Sequence, residues 1–185
     1  ISACLVGSEM CIRDSLCPFL FPSPGNRRCL ARCRGRGLAA RSAVSSIRAG
    51  RGILAQTPEL MREAGLKGRA FVVTDRNVYA HYGQALAEAL ATGGFDPCVN
   101  MVEAGEQTKS FRCLELLYDW LAEAKAERWD VIVALGGGVV GDLAGFAAAT
   151  YLRGMPLVQV PTTLLGMVDS AIGGKTAVNP VSYTH

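Results

Sequence analysis

Asp130-Val-Ile-Val-Ala-Leu-Gly-Gly-Gly-Val-Val-Gly-Asp142 is the stretch that decides how this chain is read. A short apolar run, Val131 to Leu135, leads straight into glycines, and the glycines open a helical pattern, Val139 to Tyr151, that is apolar on every side except at Asp142. Glycines let the backbone approach a diphosphate closely, and the unpaired amides at a helix N-terminus attract anions. A carboxylate within an apolar helix is costly unless something specific partners it. Strand, glycine turn and lone acid together point to a phosphate-bearing cofactor rather than to a generic core.

Outward from that turn, extended and helical patterns alternate. Arg69 to Asp75 reads as a strand ending in an acid, and Asn77 to Ala91 spaces Val78, Leu86 and Leu90 at helical intervals until Gly93-Gly94 stops it. Cys98 to Val102 is the next strand, Thr108 to Arg128 the next helix, and Leu157 to Val160 the strand after the glycine-opened helix. Strands separated by helices of this length predict βαβ units and an α/β fold: a parallel sheet with flanking helices. Ligands gather at the carboxyl ends of such strands. Asp75, Glu103–Lys109, Gly136–Asp142 and Pro161–Thr163 all fall there.

Charge divides the 185 residues unevenly: residues 1–50 hold eight Arg against two acids, whereas residues 51–185 hold eleven Lys and Arg against fourteen acids. The presumed folded part gives no electrostatic case for nucleic acid, and no apolar run reaches the roughly 18 residues a membrane span needs. Five of the seven cysteines lie in the head, leaving Cys98 and Cys113 as scattered thiols, and neither His81 nor His185 stands beside them at metal-ligand spacing. Residues 1–15 and 180–185 resemble translated sequencing-adapter sequence and are set apart from the expected fold. Residues 16–45, rich in Arg and Ser, have the composition of an organelle transit peptide or of untranslated sequence read as protein. Either origin predicts disorder. Residues 46–179 are then the folded unit.

Two familiar motifs are discounted. Gly136-x-Gly138-x-x-Gly141 matches the dinucleotide fingerprint, but it follows the third strand, and no acid ends the strand about 20 residues on where the ordinary fingerprint places one. Gly173-Gly-Lys-Thr176 ends like a P-loop, yet the position of its first glycine is Asp169.

The words GGGVVGDLAGFAAATYLRG (136–154) and VQVPTTLLGMVDSAIGGKTAVN (158–179), with EAGEQTKS (103–110) and TDRNV (74–78) upstream, resemble 3-dehydroquinate synthase. The resemblance implies a Rossmann-like parallel sheet, incomplete in this chain. It is the N-terminal domain of a fold whose helical, metal-binding C-terminal domain is absent here. It implies NAD, with a divalent metal (zinc or cobalt) whose Glu and two His ligands have no counterpart in this sequence. The implied reaction converts 3-deoxy-D-arabino-heptulosonate 7-phosphate to 3-dehydroquinate and phosphate, a carbon–oxygen lyase step of the shikimate pathway.

On this resemblance the cofactor side comprises Asp75, Asn77, Glu106, Lys109, Gly137, Gly138, Val139, Val140, Gly141, Asp142, Thr162, Thr163 and Lys175. The substrate side comprises Arg153, Asp169 and, again, Lys175. Plainer readings stand beside these. Asp75 suits a helix N-cap as well as a ribose contact. Glu106 and Lys109 suit a solvated capping pair, and Pro-Thr-Thr is a good helix start. Asp169 and Lys175 could form an interior ion pair, and Arg153 could be an exposed turn residue. Alternative functions are a sister sugar-phosphate cyclase, a metal-dependent alcohol or glycerol dehydrogenase, or a non-catalytic NAD-binding fragment. The expected partner is a small sugar phosphate, with a homodimer as a candidate assembly and neither nucleic acid nor membrane. The expected location is cytoplasmic, or plastid if the Arg/Ser-rich head is a genuine transit peptide.

Overall fold

A computed structural model describes the backbone of Ser2–Gly7 and residues 46–172, 174 and 176–179. The expected disorder of residues 16–45, the closing segment 180–185 and Lys175 lie outside the described residues. The strands are β1 (Ser2–Gly7), β2 (Ser46–Gly50), β3 (Ala70–Asp75), β4 (Pro97–Val102), β5 (Val131–Gly136) and β6 (Leu157–Pro161), in one sheet of order β2-β1-β6-β5-β3-β4. β6, β5, β3 and β4 run parallel, as the alternating pattern predicts. β1 is antiparallel to both β2 and β6, so the structure departs from the reading that set residues 1–15 apart from the fold. The physical reason lies in β6, whose outer edge offers a row of backbone donors and acceptors that an extended apolar segment can satisfy.

Parallel strands buried on both faces read as continuous apolar runs. All six residues of β5 are buried, as are the first five of β3. Side chains alternate between two cores. Val72, Val131, Val133 and Leu135 pack with Met61, Leu86 and Leu90 on one face, while Phe71, Val73, Ile132 and Ala134 pack with Leu114, Leu117, Leu121, Leu143 and Ala147 on the other. The first face is covered by α1 (Thr57–Glu63) and by the second half of α2, a helix over 76–92. The second is covered by α3 (Phe111–Glu123) and α4 (Gly138–Thr150).

Local chemistry sets the helix limits. Ser110 accepts a hydrogen bond from the Cys113 amide (3.3 Å) and starts α3, three residues later than the apolar spacing predicts. Lys125, at φ 53°, ends it. α2 contains a π-turn, Tyr79–Gly83, that the spacing does not announce. The Tyr79 ring occupies the place a Cβ on Gly83 would take, so only glycine lets that turn close.

Asp130 braces the amino-terminal edge of the sheet. Its carboxylate is buried and accepts from the Arg69 and Glu127 amides at 2.8 Å each, with the Arg69 guanidinium 3.5 Å away. Asp130→Ala removes the acceptor for both amides and the ion-pair partner of Arg69. It should lower the unfolding free energy by about 2–4 kcal/mol in urea denaturation, and a loss under about 0.5 kcal/mol would contradict the bracing role.

Candidate functional site

β4 lies on one side of β3 and β5 on the other, so the strand order reverses between β3 and β5. In an open α/β sheet the crevice at such a reversal, beyond the strand carboxyl ends, is where ligands bind. The ends that meet there carry Asp75, the glycine turn and, one strand further, Pro161 to Thr163.

α4 opens on Gly137, which has no side chain with which to cap it, and the first amide bonded back within the helix is that of Gly141, to the Gly137 carbonyl at 3.0 Å. The preceding amides of Gly138, Val139 and Val140 are therefore available at the positive end of the helix dipole. A Cβ on Gly137 would come within 3.1 Å of Thr163 Cγ2, one on Gly138 within 3.3 Å of Ser170 Oγ, and one on Gly141 within 3.0 Å of Gln159 Oε1. Side chains at these positions would crowd those neighbours. The arrangement fits a diphosphate held by backbone donors.

The lone acid has its partner. Asp142 Oδ2 lies 2.7 Å from Lys109 Nζ, both side chains largely buried, and Glu106 Oε1 lies 3.4 Å from the same nitrogen. Burial pulls the Lys109 ammonium toward its neutral form. Its hydrogen bond and attraction to Asp142, with a further pull from Glu106, more than offset this and hold its proton above the ordinary lysine value of 10.5. The loop after β4 is thereby tied to the first turns of α4. Thr108 anchors the same loop by donating to the Glu103 carbonyl at 2.6 Å.

The other expected residues are placed less uniformly. Asp75 is the N-cap of α2: its Oδ1 accepts from the Asn77 amide at 2.9 Å and the Val78 amide at 3.0 Å. Asn77 is exposed one position into that turn. Thr163 Oγ1 accepts from the Gly166 amide at 3.1 Å and so starts the π-turn Gly166–Ser170, while the Thr162 amide donates to the Gly136 carbonyl at 2.9 Å. Asp169, on that π-turn, is near the start of α4 and engaged in an interaction of its own. Arg153 is not brought to this site. It follows α4, whose 13 residues carry the chain to the opposite edge of the sheet, roughly 20 Å away. There Leu152 and Arg153 both adopt positive φ, 49° and 66°. Three neighbours of the site escaped the sequence reading: Ser170 beside Gly138, Gln159 beneath Gly141, and Asn179. Only contact across the fold reveals the first two, and Asn179 closes a word quoted for the resemblance without a role. Among the described residues no group of three His, Cys, Asp or Glu could hold a metal, and no helix is long and apolar enough to cross a membrane.

Fold and turn define a parallel α/β domain with a glycine-lined, uncapped helix start at its strand-order reversal, and comparison with known proteins narrows the class. Residues 99–183 match the family model described as 3-dehydroquinate synthase N-terminal, and this matched stretch belongs to that family. The chain is 52% identical over 127 residues to 3-dehydroquinate synthase of Salinibacter ruber, a match that covers 68% of this chain and 35% of the relative. The chain thus spans about a third of the length of that curated relative. Among solved structures, 2-deoxy-scyllo-inosose synthase complexed with carbaglucose-6-phosphate, NAD+ and Co2+ aligns with TM-score 0.67 and 28% identity, covering 74% of this chain and 38% of that one. The 2-epi-5-epi-valiolone synthase of Streptomyces hygroscopicus, with NAD+ and Zn2+ bound, aligns with TM-score 0.58 and 36% identity, covering 63% and 32%.

The Lys109–Asp142 pair makes a pH-dependent prediction. The folded chain holds the Lys109 proton more tightly than the unfolded chain. That contribution to stability is fully present below pH 10.5 and is lost as pH rises through the higher folded value. Lys109→Met should cost about 1–3 kcal/mol at neutral pH, and the gap to the unaltered chain should be level from about pH 7 to 9 and narrow above about pH 10.5. A gap that stays constant through the alkaline range would contradict the pairing.

Proposed function

We propose that this chain is the cofactor-binding part of a 3-dehydroquinate synthase. The whole protein would convert 3-deoxy-D-arabino-heptulosonate 7-phosphate to 3-dehydroquinate and phosphate. The observation that carries the reading is the uncapped, glycine-lined start of α4 with the Lys109–Asp142 pair beside it. Relatives and solved neighbours bearing cyclase names support it, and NAD+ is printed with both neighbours.

In this reading the amides of Gly138, Val139 and Val140 hold the dinucleotide diphosphate, and Gly137 and Gly141 keep side chains out of its path. Asp75 caps α2 through Oδ1 while presenting its carboxylate toward a ribose, with Asn77 beside it. Glu106 and Lys109 border the dinucleotide from the loop after β4, and the hydroxyls of Thr162 and Thr163 border it from the end of β6. Asp142 fixes the Lys109 ammonium, and with it the loop after β4, against the first turns of α4. When bound, NAD supplies reversible hydride acceptance at a substrate hydroxyl, which acidifies the neighbouring C–H and lets phosphate leave. A divalent metal, zinc or cobalt, belongs to this reading and would polarise the carbonyl that forms. Among the described residues no group of three His, Cys, Asp or Glu is placed to hold it.

Asp169 and Lys175 are proposed on the substrate side, where an acid positions a hydroxyl and a cation holds an oxyanion. Arg153, at the far edge of the sheet, reaches a substrate only if a second copy presents it, which makes a homodimer part of the proposal. Sister cyclases share this cofactor geometry; the higher identity to 3-dehydroquinate synthase favours that substrate. The proposed location is cytoplasmic, or plastid if residues 16–45 direct import.

The chain by itself should bind NAD without releasing phosphate from the sugar phosphate. Calorimetric titration and a phosphate-release assay separate the two activities. Gly138→Val, which fills the space toward Ser170, and Asp142→Ala should each weaken NAD binding by more than about tenfold, or about 1.4 kcal/mol. Unchanged affinity in both variants removes the cofactor role of the turn.

A further inference from the structure

We propose that Asn179 is a positioning residue for the cofactor side of the site, a role that rests on the dinucleotide reading above. The segment 176–179 is strapped across α4 and the loop after β4 at successive points. The Thr176 side chain occupies the place of a Cβ on Gly145 of α4, and Val178 packs on the core shared by α3 and α4. Asn179 then makes both of its contacts to the Glu106-x-x-Lys109 loop. Its backbone amide donates to the Lys109 carbonyl at 2.7 Å, and its Nδ2 donates to Glu106 Oε1 at 3.1 Å. It also pairs with Ser110 as an isolated parallel bridge, immediately before α3.

These contacts do something the ion pairs alone do not. Lys109 sits outside regular helix, at ψ 59°, so helical bonding on its C-terminal side does not fix its backbone. Its amide donates to the Glu106 carbonyl at 3.0 Å and its carbonyl accepts from Asn179, which holds the residue from both directions while the ammonium reaches Asp142. Glu106 is well exposed, and a 3.4 Å pair between an exposed carboxylate and a flexible ammonium contributes little by itself. The Asn179 side-chain amide, also exposed, converges on the same oxygen as Lys109 Nζ, so the two donors together bracket that carboxylate. In sequence the strap follows Lys175 directly and Asp169 by seven positions, both substrate-side candidates.

The test is a double-mutant cycle on the intact chain, N179D with and without E106Q. It is read by calorimetric NAD affinity and by acylation of Lys109 with acetic anhydride, with Lys67 and Lys125 as internal references. N179D puts a carboxylate against Glu106 and should weaken NAD binding about fivefold and raise the acylation rate constant of Lys109, taken per free amine from its pH–rate profile so that the added charge does not mask it, about fivefold as well. In the E106Q background the same substitution restores an amide–carboxylate bond with donor and acceptor exchanged, and both penalties should vanish. A penalty of equal size in both backgrounds would show that Asn179 does not act through Glu106 and overturns the inference. Should the unaltered chain bind no NAD, the dinucleotide reading fails by itself. The acylation cycle still decides the strap: coupled rates support it and uncoupled rates sink it.

Discussion

The Lys109–Asp142 ion pair is the constraint on which the site depends. Asp142 is the one charged residue of α4, and its neighbours Leu143, Ala144 and Gly145 are buried, so an unpartnered carboxylate there would carry a large desolvation penalty. Lys109 meets it from a different strand's loop. The contact fixes that loop against the first turns of α4. Helix start, loop and charge form one object because this pair ties them. Neither member could be moved to the opposite face of the sheet, since α3 and α4 share one core and α1 and α2 the other.

Much of the scaffold was legible because parallel strands announce themselves. Ala70–Asp75 and Val131–Gly136 are buried on both faces and read as unbroken apolar runs, and Leu114, Leu117 and Leu121 carry a helical period. The acid at Asp142 was legible as an anomaly, but its partner was not. Lys109 lies 33 positions upstream, and only the order in which β4, β3 and β5 are laid side by side brings it near. The π-turn at Tyr79–Gly83 was hidden for a similar reason: a ring seated on a glycine leaves no period in the sequence. Ser2–Gly7 joins the sheet along the edge of β6, a pairing that the adapter-like reading of residues 1–15 does not anticipate.

The site shows the same division. Glycines at 137, 138 and 141 could be read as close-approach positions, and the structure gives each one a neighbour that a side chain would strike. Asp75 carried two readings, and the capping bonds to Asn77 and Val78 establish one of them without removing the other, since both end on a single oxygen. Arg153 was grouped with the substrate side through the resemblance alone, although the helix read over 139–151 already separates it from the glycine turn by the depth of the sheet. Residues adjacent in the family's words are thus distributed to opposite edges of the fold.

The central claim is that the open amides at the start of α4 cradle a dinucleotide diphosphate. Amide proton–nitrogen correlation spectra of the chain during titration with NAD test it most directly. The account predicts the largest shifts at Gly137, Gly138, Val139 and Val140, with a second group at Asp75 and Asn77, while Arg69 and Met155 at the opposite edge stay still. Shifts confined to that opposite edge, or none at the glycine turn at saturating NAD, would contradict it.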